Sequence, residues 1–231
     1  MRFLTTLTLF ISFNIAAEST LVGTIEKFTD IFGISFSQYQ GSTIATLDGN
    51  YYVTERLRAF GDIDTDLNWE LGTGYSIWSG ESYYTENSIT ISEYKLSTGI
   101  FAAKMVSSDW TLIGDMNYNY KFDTERCFEN LQDLCPTESL SDSFEYSAGL
   151  IWSPIQYIDL LYKFNHEIGF KKNAYHFSTP DITLKTDRTN QIYHEIVAFI
   201  NMKYLRPSIT YTTYQDKRRE DSIEFGLTFD F

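Results

Sequence analysis

Residues 57–77 alternate with a period of two. The odd positions hold Leu57, Ala59, Gly61, Ile63, Thr65, Leu67, Trp69, Leu71, Thr73, Tyr75 and Ile77, none of them charged, while Arg58, Asp62, Asp64, Asp66 and Glu70 all stand at even positions. A helix would scatter these charges around its axis, whereas a strand places them on one face. The same scheme recurs at 110–122, where Trp110, Leu112, Met116, Tyr118, Tyr120 and Phe122 oppose Asp115, Asn117, Asn119 and Lys121. It returns at 144–152 (Phe144, Tyr146, Ala148, Leu150, Trp152) and at the C-terminus (Ile223, Phe225, Leu227, Phe229, Phe231). No helical period appears after the first seventeen residues, so the chain reads as all-β.

Turn chemistry divides it into strands near 29–38, 42–53, 57–78, 88–103, 109–121, 143–152, 157–169, 190–202, 207–216 and 222–231. Each of the 4 prolines falls outside a strand interior, as a residue without a ladder donor should. Short connections mostly alternate with longer ones at 79–87, 122–142 and 170–189, a rhythm typical of barrels that cross a membrane. The weak point is 57–78, twice the 9–11 residues a spanning strand needs. A tight connection near Asp62–Asp66 would split it without disturbing the alternation, and parity would then require one more strand, taken from 18–28. The expected fold is a closed antiparallel up-and-down transmembrane β-barrel of about ten strands, with eight or twelve as alternatives.

Alternation alone does not separate such a barrel from a soluble one, whose apolar face points inward. Three features favour the membrane. Aromatic residues gather near strand ends, as Trp110 and Trp152 do, where interfacial girdles are expected. Closure of about ten strands leaves no ladder edge in hydrocarbon. The third is the terminal octapeptide Glu224-Phe225-Gly226-Leu227-Thr228-Phe229-Asp230-Phe231. It resembles the C-terminal insertion signal of Gram-negative outer-membrane proteins, with the signal positions held by Glu224, Gly226, Phe229 and Phe231. In size and layout the chain is similar to small outer-membrane barrels of the OmpX/Ail or porin-like sort. The resemblance implies recognition by the outer-membrane insertion machinery and a bacterial outer-membrane location.

Composition narrows the classes further. Hydrophobic residues make up 43% and mean hydropathy is -0.25, which excludes a helical membrane bundle; 17% aromatic content excludes disorder. A formal charge of -13 argues against nucleic acid as a partner. The basic start, apolar run and small residues of Met1–Ala17 read as a signal peptide (1–17), followed by a periplasmic lead-in (18–28) and the barrel (29–231). Cys127 and Cys135, the 2 cysteines, lie in one loop and are expected to form a disulfide outside the cytoplasm.

The even-numbered charges of 57–77 and their counterparts elsewhere supply the candidate lumen. Its acidic members are Asp62, Asp64, Asp66, Glu70, Glu93, Asp115, Glu145, Asp159, Glu167 and Glu195; its basic members are Arg58, Lys95, Lys121, Lys163 and Lys203. One reading is a cation-preferring pore, the other an interior filled by paired charges. His166-Glu167 and His194-Glu195 fall at the outer ends of consecutive strands, and analogy with outer-membrane proteases and lipid A-modifying barrels makes them a candidate rim site. Alternation turns both histidines outward, however, where polar headgroup-level residues are ordinary. Lys217-Arg218-Arg219 at a tight outer turn is a candidate contact for lipopolysaccharide phosphates.

The leading functional expectation is a non-enzymatic outer-membrane protein with exposed loops and an envelope or surface-interaction role. The alternative is a narrow porin for small cationic solutes, and the third is an outer-membrane hydrolase. No cofactor or metal is expected. The expected partners are outer-membrane lipid, lipopolysaccharide and, during assembly, the insertion machinery, around a monomeric barrel.

Overall fold

The computed structural model describes residues 32–39, 42–125, 136–178, 181–216 and 219–229. The expected signal peptide, the lead-in, Cys127, Cys135, Lys217, Arg218 and Phe231 lie outside the described residues. The strands are β1 (Phe32–Tyr39), β2 (Ser42–Tyr52), β3 (Leu57–Asp64), β4 (Trp69–Ser79), β5 (Tyr83–Ser92), β6 (Lys95–Ser107), β7 (Trp110–Lys121) and β8 (Thr124–Glu125). They continue with β9 (Thr137–Ser139), β10 (Ser143–Ile155), β11 (Ile158–Gly169), β12 (Ala174–Ser178), β13 (Asp181–Lys185), β14 (Asn190–Ile200), β15 (Leu205–Tyr214) and β16 (Ser222–Phe229).

Twelve of these close into a barrel in the order β1-β16-β15-β14-β11-β10-β7-β6-β5-β4-β3-β2. All its pairs are antiparallel, and the ring is sealed by β1 against β16, with Phe32 opposite Phe229. Short strands β8, β9, β12 and β13 form a separate four-stranded sheet from the two long loops. The start of β1 and the end of β16 share one rim, the terminal end, together with the short connections at 53–56, 80–82, 108–109, 156–157 and 201–204. The opposite rim, the loop end, carries the small sheet.

The barrel has twelve strands, the alternative weighed beside the expected ten, because two expected strands are hairpins. Residues 57–78 fold as β3 and β4 around a turn at 65–68. There the Asp64 carboxylate accepts the amides of Asp66 (2.8 Å) and Asn68 (3.0 Å) and the Asn68 side-chain amide (2.8 Å). The register sets Ile63 opposite Trp69, so odd positions face odd positions and the alternation runs through the turn unbroken. Residues 83–107 likewise fold as β5 and β6 around Glu93-Tyr94, with Ile91 opposite Leu96. The extra strand demanded by parity comes from 83–92, and 79–87 is not a long loop, whereas the expected source, 18–28, lies outside the described residues.

The faces settle the choice between a soluble and a membrane barrel. Large apolar side chains including Leu71, Ile89, Ile100, Leu112, Met116, Ile196, Ile209 and Phe225 are exposed on the outside. The buried residues are mainly polar, among them Asn50, Ser97, Asn119, Ser147, Asp159 and Asn165, whereas the buried hydrophobic residues are Tyr84, Ala103, Ile151 and Val197. An apolar outer belt of this extent is incompatible with water and suited to hydrocarbon. At the terminal end Trp110 stacks on Trp152 across the β7–β10 pair, with ring centroids 5.5 Å apart, as part of an interfacial girdle.

Candidate functional site

The lumen is built from the inward positions of the strands. In β3 these are Arg58, Phe60 and Asp62; in β4, Glu70, Gly72, Gly74 and Ser76; in β5, Tyr84, Glu86, Ser88 and Thr90, as the pairing registers require. Most inward cations are consumed by a carboxylate on a nearby strand. The Arg58 guanidinium donates two bonds to Glu86, Nε to Oε2 at 2.8 Å and Nη2 to Oε1 at 2.7 Å. The fork geometry makes this a charge-assisted, orientation-fixing pair. The Tyr84 hydroxyl donates a third bond to Glu86 at 2.8 Å. Glu86 fits because Gly74 stands beside it: a Cβ on Gly74 would lie 2.5 Å from Glu86 Oε1.

Other pairs repeat the arrangement. Lys163 meets Asp115 at 3.0 Å, and Asp115 also accepts the Ser147 hydroxyl and the Asn117 side-chain amide. Lys121 meets Glu167 at 2.6 Å, and the Ser143 hydroxyl donates to the same oxygen at 2.6 Å. Lys95 lies 3.4 Å from Glu70. Between the Arg58–Glu86 and Lys163–Asp115 pairs is a cavity of about 310 Å³, lined also by Phe101, Asn117 and Ile151. Toward the terminal end Tyr84, Phe101, Ala103, Met105 and Ile113 pack together and narrow the interior.

Acidic groups remain beyond these pairs. Glu145 accepts the Tyr193 hydroxyl at 2.9 Å, Glu195 the Asn165 amide at 3.0 Å, and Asp159 the Asn201 amide at 2.6 Å. Glu224 on β16 lies within electrostatic range of Asp48 on β2 and Glu195 on β14, and Asp62 within range of Asp48 and Glu70. Inward carboxylates therefore outnumber inward cations among the described residues, and the lumen is negative.

The sequence-derived candidates fall into three groups. Asp62, Glu70, Asp115, Glu145, Asp159, Glu167 and Glu195, with Arg58, Lys95, Lys121 and Lys163, stand at inward positions of the barrel strands. Asp64 and Asp66 serve a turn instead: Asp64 caps the β3–β4 turn and Asp66 is exposed within it. Glu93 and Lys203 also belong to turns, Lys203 lying over the Tyr204 ring at 4.7 Å. Glu86, Asp48 and Tyr84 were not singled out by sequence reasoning. Glu86 fell in the supposed loop 79–87; the signal that locates it is the alternation Tyr84, Glu86, Ser88 against Ile89 and Ile91.

The rim histidines are outward and separate. His166 stands opposite Ile192 and His194 opposite Phe164. The Tyr146 hydroxyl bonds His166 Nδ1 at 2.7 Å, and the Tyr162 hydroxyl bonds His194 Nδ1 at 2.8 Å. Their sequence neighbours Glu167 and Glu195 face the lumen instead, so neither rim histidine is set against its neighbouring glutamate. In the proposed insertion signal, Gly226 faces inward against Ser208, and Phe229 lies between Phe32 and Leu205 in the closing seam. Arg219, the described member of the basic turn, lies over the Tyr214 ring at 5.7 Å.

No protein-family model matches the chain, and no curated protein matches it. Solved structures do. The KdgM porin in complex with disordered oligogalacturonate aligns with TM-score 0.63 at 7% identity, over 87% of this chain and 98% of the porin. The NanC porin aligns with TM-score 0.64 at 10% identity, over 87% of this chain and 100% of the porin. The COG4313 outer membrane channel from Pseudomonas putida F1 gives 0.62 at 9% identity, over 87% and 94%. In fold and in the polarity of its two faces, the chain is an outer-membrane β-barrel of porin-like architecture, and its place is the bacterial outer membrane.

Proposed function

We propose that this barrel is a narrow diffusion channel for small cationic or neutral solutes. The observation that carries the reading is the charge balance of the lumen. Arg58, Lys95, Lys121 and Lys163 each lie against a carboxylate, Lys95 also within range of Asp62 and Lys163 opposite Glu195. With Arg206 these are the inward cations, and the inward carboxylates, Asp48 and Glu224 among them, still outnumber them among the described residues. A low-dielectric wall focuses that field along the pore, raising the local concentration of cations and repelling anions. The KdgM porin is described with oligogalacturonate, a polyanion; the acidic lumen here favours a different solute.

The test is single-channel recording of the refolded protein in a planar bilayer under a potassium chloride gradient. The expected result is a steady current whose reversal potential reports cation preference, reduced when Asp48→Asn and Glu224→Gln are combined. Anion preference would overturn the reading. A silent but correctly folded barrel would favour the second reading, a closed barrel that displays its loop-end sheet, which the apolar cluster around Tyr84 and Phe101 supports.

A further inference from the structure

Three basic side chains are set apart from the paired cations of the lumen. Lys171, Lys172 and Arg188 line, with Phe170, Asp187 and Asn190, a cavity of about 550 Å³ where the chain leaves β11 and re-enters at β14. Among the described residues none of the three forms an ion pair. With Asp187 as its one carboxylate, the cavity is net positive on a chain of formal charge -13.

The cavity belongs to the lipid side of the wall. Asn190 stands opposite Ile168, on the face that carries His166 and Phe164 outward, and its Oδ1 lies 2.9 Å from His166 Nε2. Phe170 is exposed and stacks on outward Tyr118 with ring centroids 6.0 Å apart. From the rim toward the bilayer centre the surface thus passes from three cations to a shelf of Phe170, Tyr118, Tyr146 and His166, and then to the aliphatic belt. A ligand matching this sequence carries anionic oxygens at the top, a polar ring in the middle and acyl chains below.

We propose that this rim binds the phosphate-bearing headgroup of an outer-leaflet glycolipid. Arg188 supplies the planar fork suited to phosphate oxygens, Lys171 and Lys172 add point charges, and the aromatic shelf supports the sugar. Free phosphate would use the cations but gain nothing from the shelf.

The experiment uses the refolded full barrel in detergent, titrated with lipid A carrying two, one or no phosphates and followed by native mass spectrometry. The expected order of retention follows phosphate number. Lys171→Ala, Lys172→Ala and Arg188→Ala together are expected to weaken binding of the two-phosphate form at least about tenfold, and Phe170→Ala to weaken it less. Unchanged heat-modifiable mobility of each variant verifies that the barrel is intact. Equal retention of all three lipids, or full retention by the triple variant, would overturn the proposal. Displacement of the lipid by millimolar inorganic phosphate would also overturn it, since the shelf would then contribute nothing.

Discussion

At the residue scale the barrel depends on carboxylates whose surroundings differ sharply. Glu86 is 3% exposed and holds Arg58 and Tyr84 at once. Removing its charge leaves a guanidinium in the wall without compensation, a loss of roughly 3–5 kcal/mol for a buried pair. Glu86→Gln is therefore expected to lower the temperature at which the barrel opens in detergent and to shift selectivity toward anions. An unchanged opening temperature would show that the pair is not structural. Asp221 is the contrasting case, exposed at the loop end, where the Tyr211 hydroxyl donates to it at 2.6 Å and the Tyr214 amide at 3.3 Å. The hydrogen bonds from Tyr211 and Thr213 hold its carboxyl below the usual carboxylate range. With the folded pKa depressed, its stabilisation of the contacts to Tyr211 and Tyr214 is present above the unfolded value of about 3.9 and is lost as pH falls through the folded value. An NMR titration of the Asp221 carboxyl carbon should have its midpoint below that of an unstructured aspartate. A midpoint at or above it would contradict the contact.

At the element scale the two hairpins, one of them the split of 57–78 weighed from the sequence, change which segments face which compartment. With twelve strands, 80–82 is a turn at the terminal end, whereas a ten-strand barrel would put 79–87 at the loop end. Outer-membrane barrels keep short turns on the periplasmic side and long loops outside. Cysteine placed at Glu81→Cys should then resist a membrane-impermeant maleimide on intact cells, while Glu93→Cys at the β5–β6 turn should label. Labelling at Glu81→Cys would restore the ten-strand arrangement, in which 79–87 lies at the loop end. The hairpins escaped the alternation for two different reasons. The β3–β4 register keeps odd opposite odd, so the pattern carries no mark of the turn at 65–68. The β5–β6 register instead reverses parity: inward positions are even through Ser92 and odd from Lys95. That phase change at Glu93-Tyr94 was legible in principle, but Ser and Thr on both faces of 85–98 blur it.

At the scale of the whole molecule, stability rests on closure. Every barrel strand is hydrogen-bonded on both sides, so no edge is left for hydrocarbon to penalise. Such a barrel opens cooperatively, and its unboiled form is expected to migrate differently from its boiled form on a gel. Identical migration would contradict a closed, detergent-resistant barrel.

The sequence by itself determined the all-β class, the strand faces and most of the lumen's charged residues. These follow from a two-residue period that needs only local backbone geometry to project side chains to opposite sides. It also located the long loops at 122–142 and 170–189 and placed His166 and His194 outward. Alternation by itself did not determine which face meets lipid, because it is the same for a barrel with an apolar inside and one with an apolar outside; the aromatic strand ends and the terminal octapeptide pointed to the membrane, and the closed arrangement, with Leu71, Ile100 and Met116 exposed and Asn119 and Asn165 buried, shows the apolar face outside. Nor did it determine the partners of the lumen charges. Arg58 and Glu86 are 28 residues apart, and Lys121 and Glu167 are 46 apart, so their meeting depends on strand order and register, which no local pattern encodes. The positive rim at Lys171, Lys172 and Arg188 is of the same kind: it exists because the β11–β14 pairing brings the two ends of one long loop together.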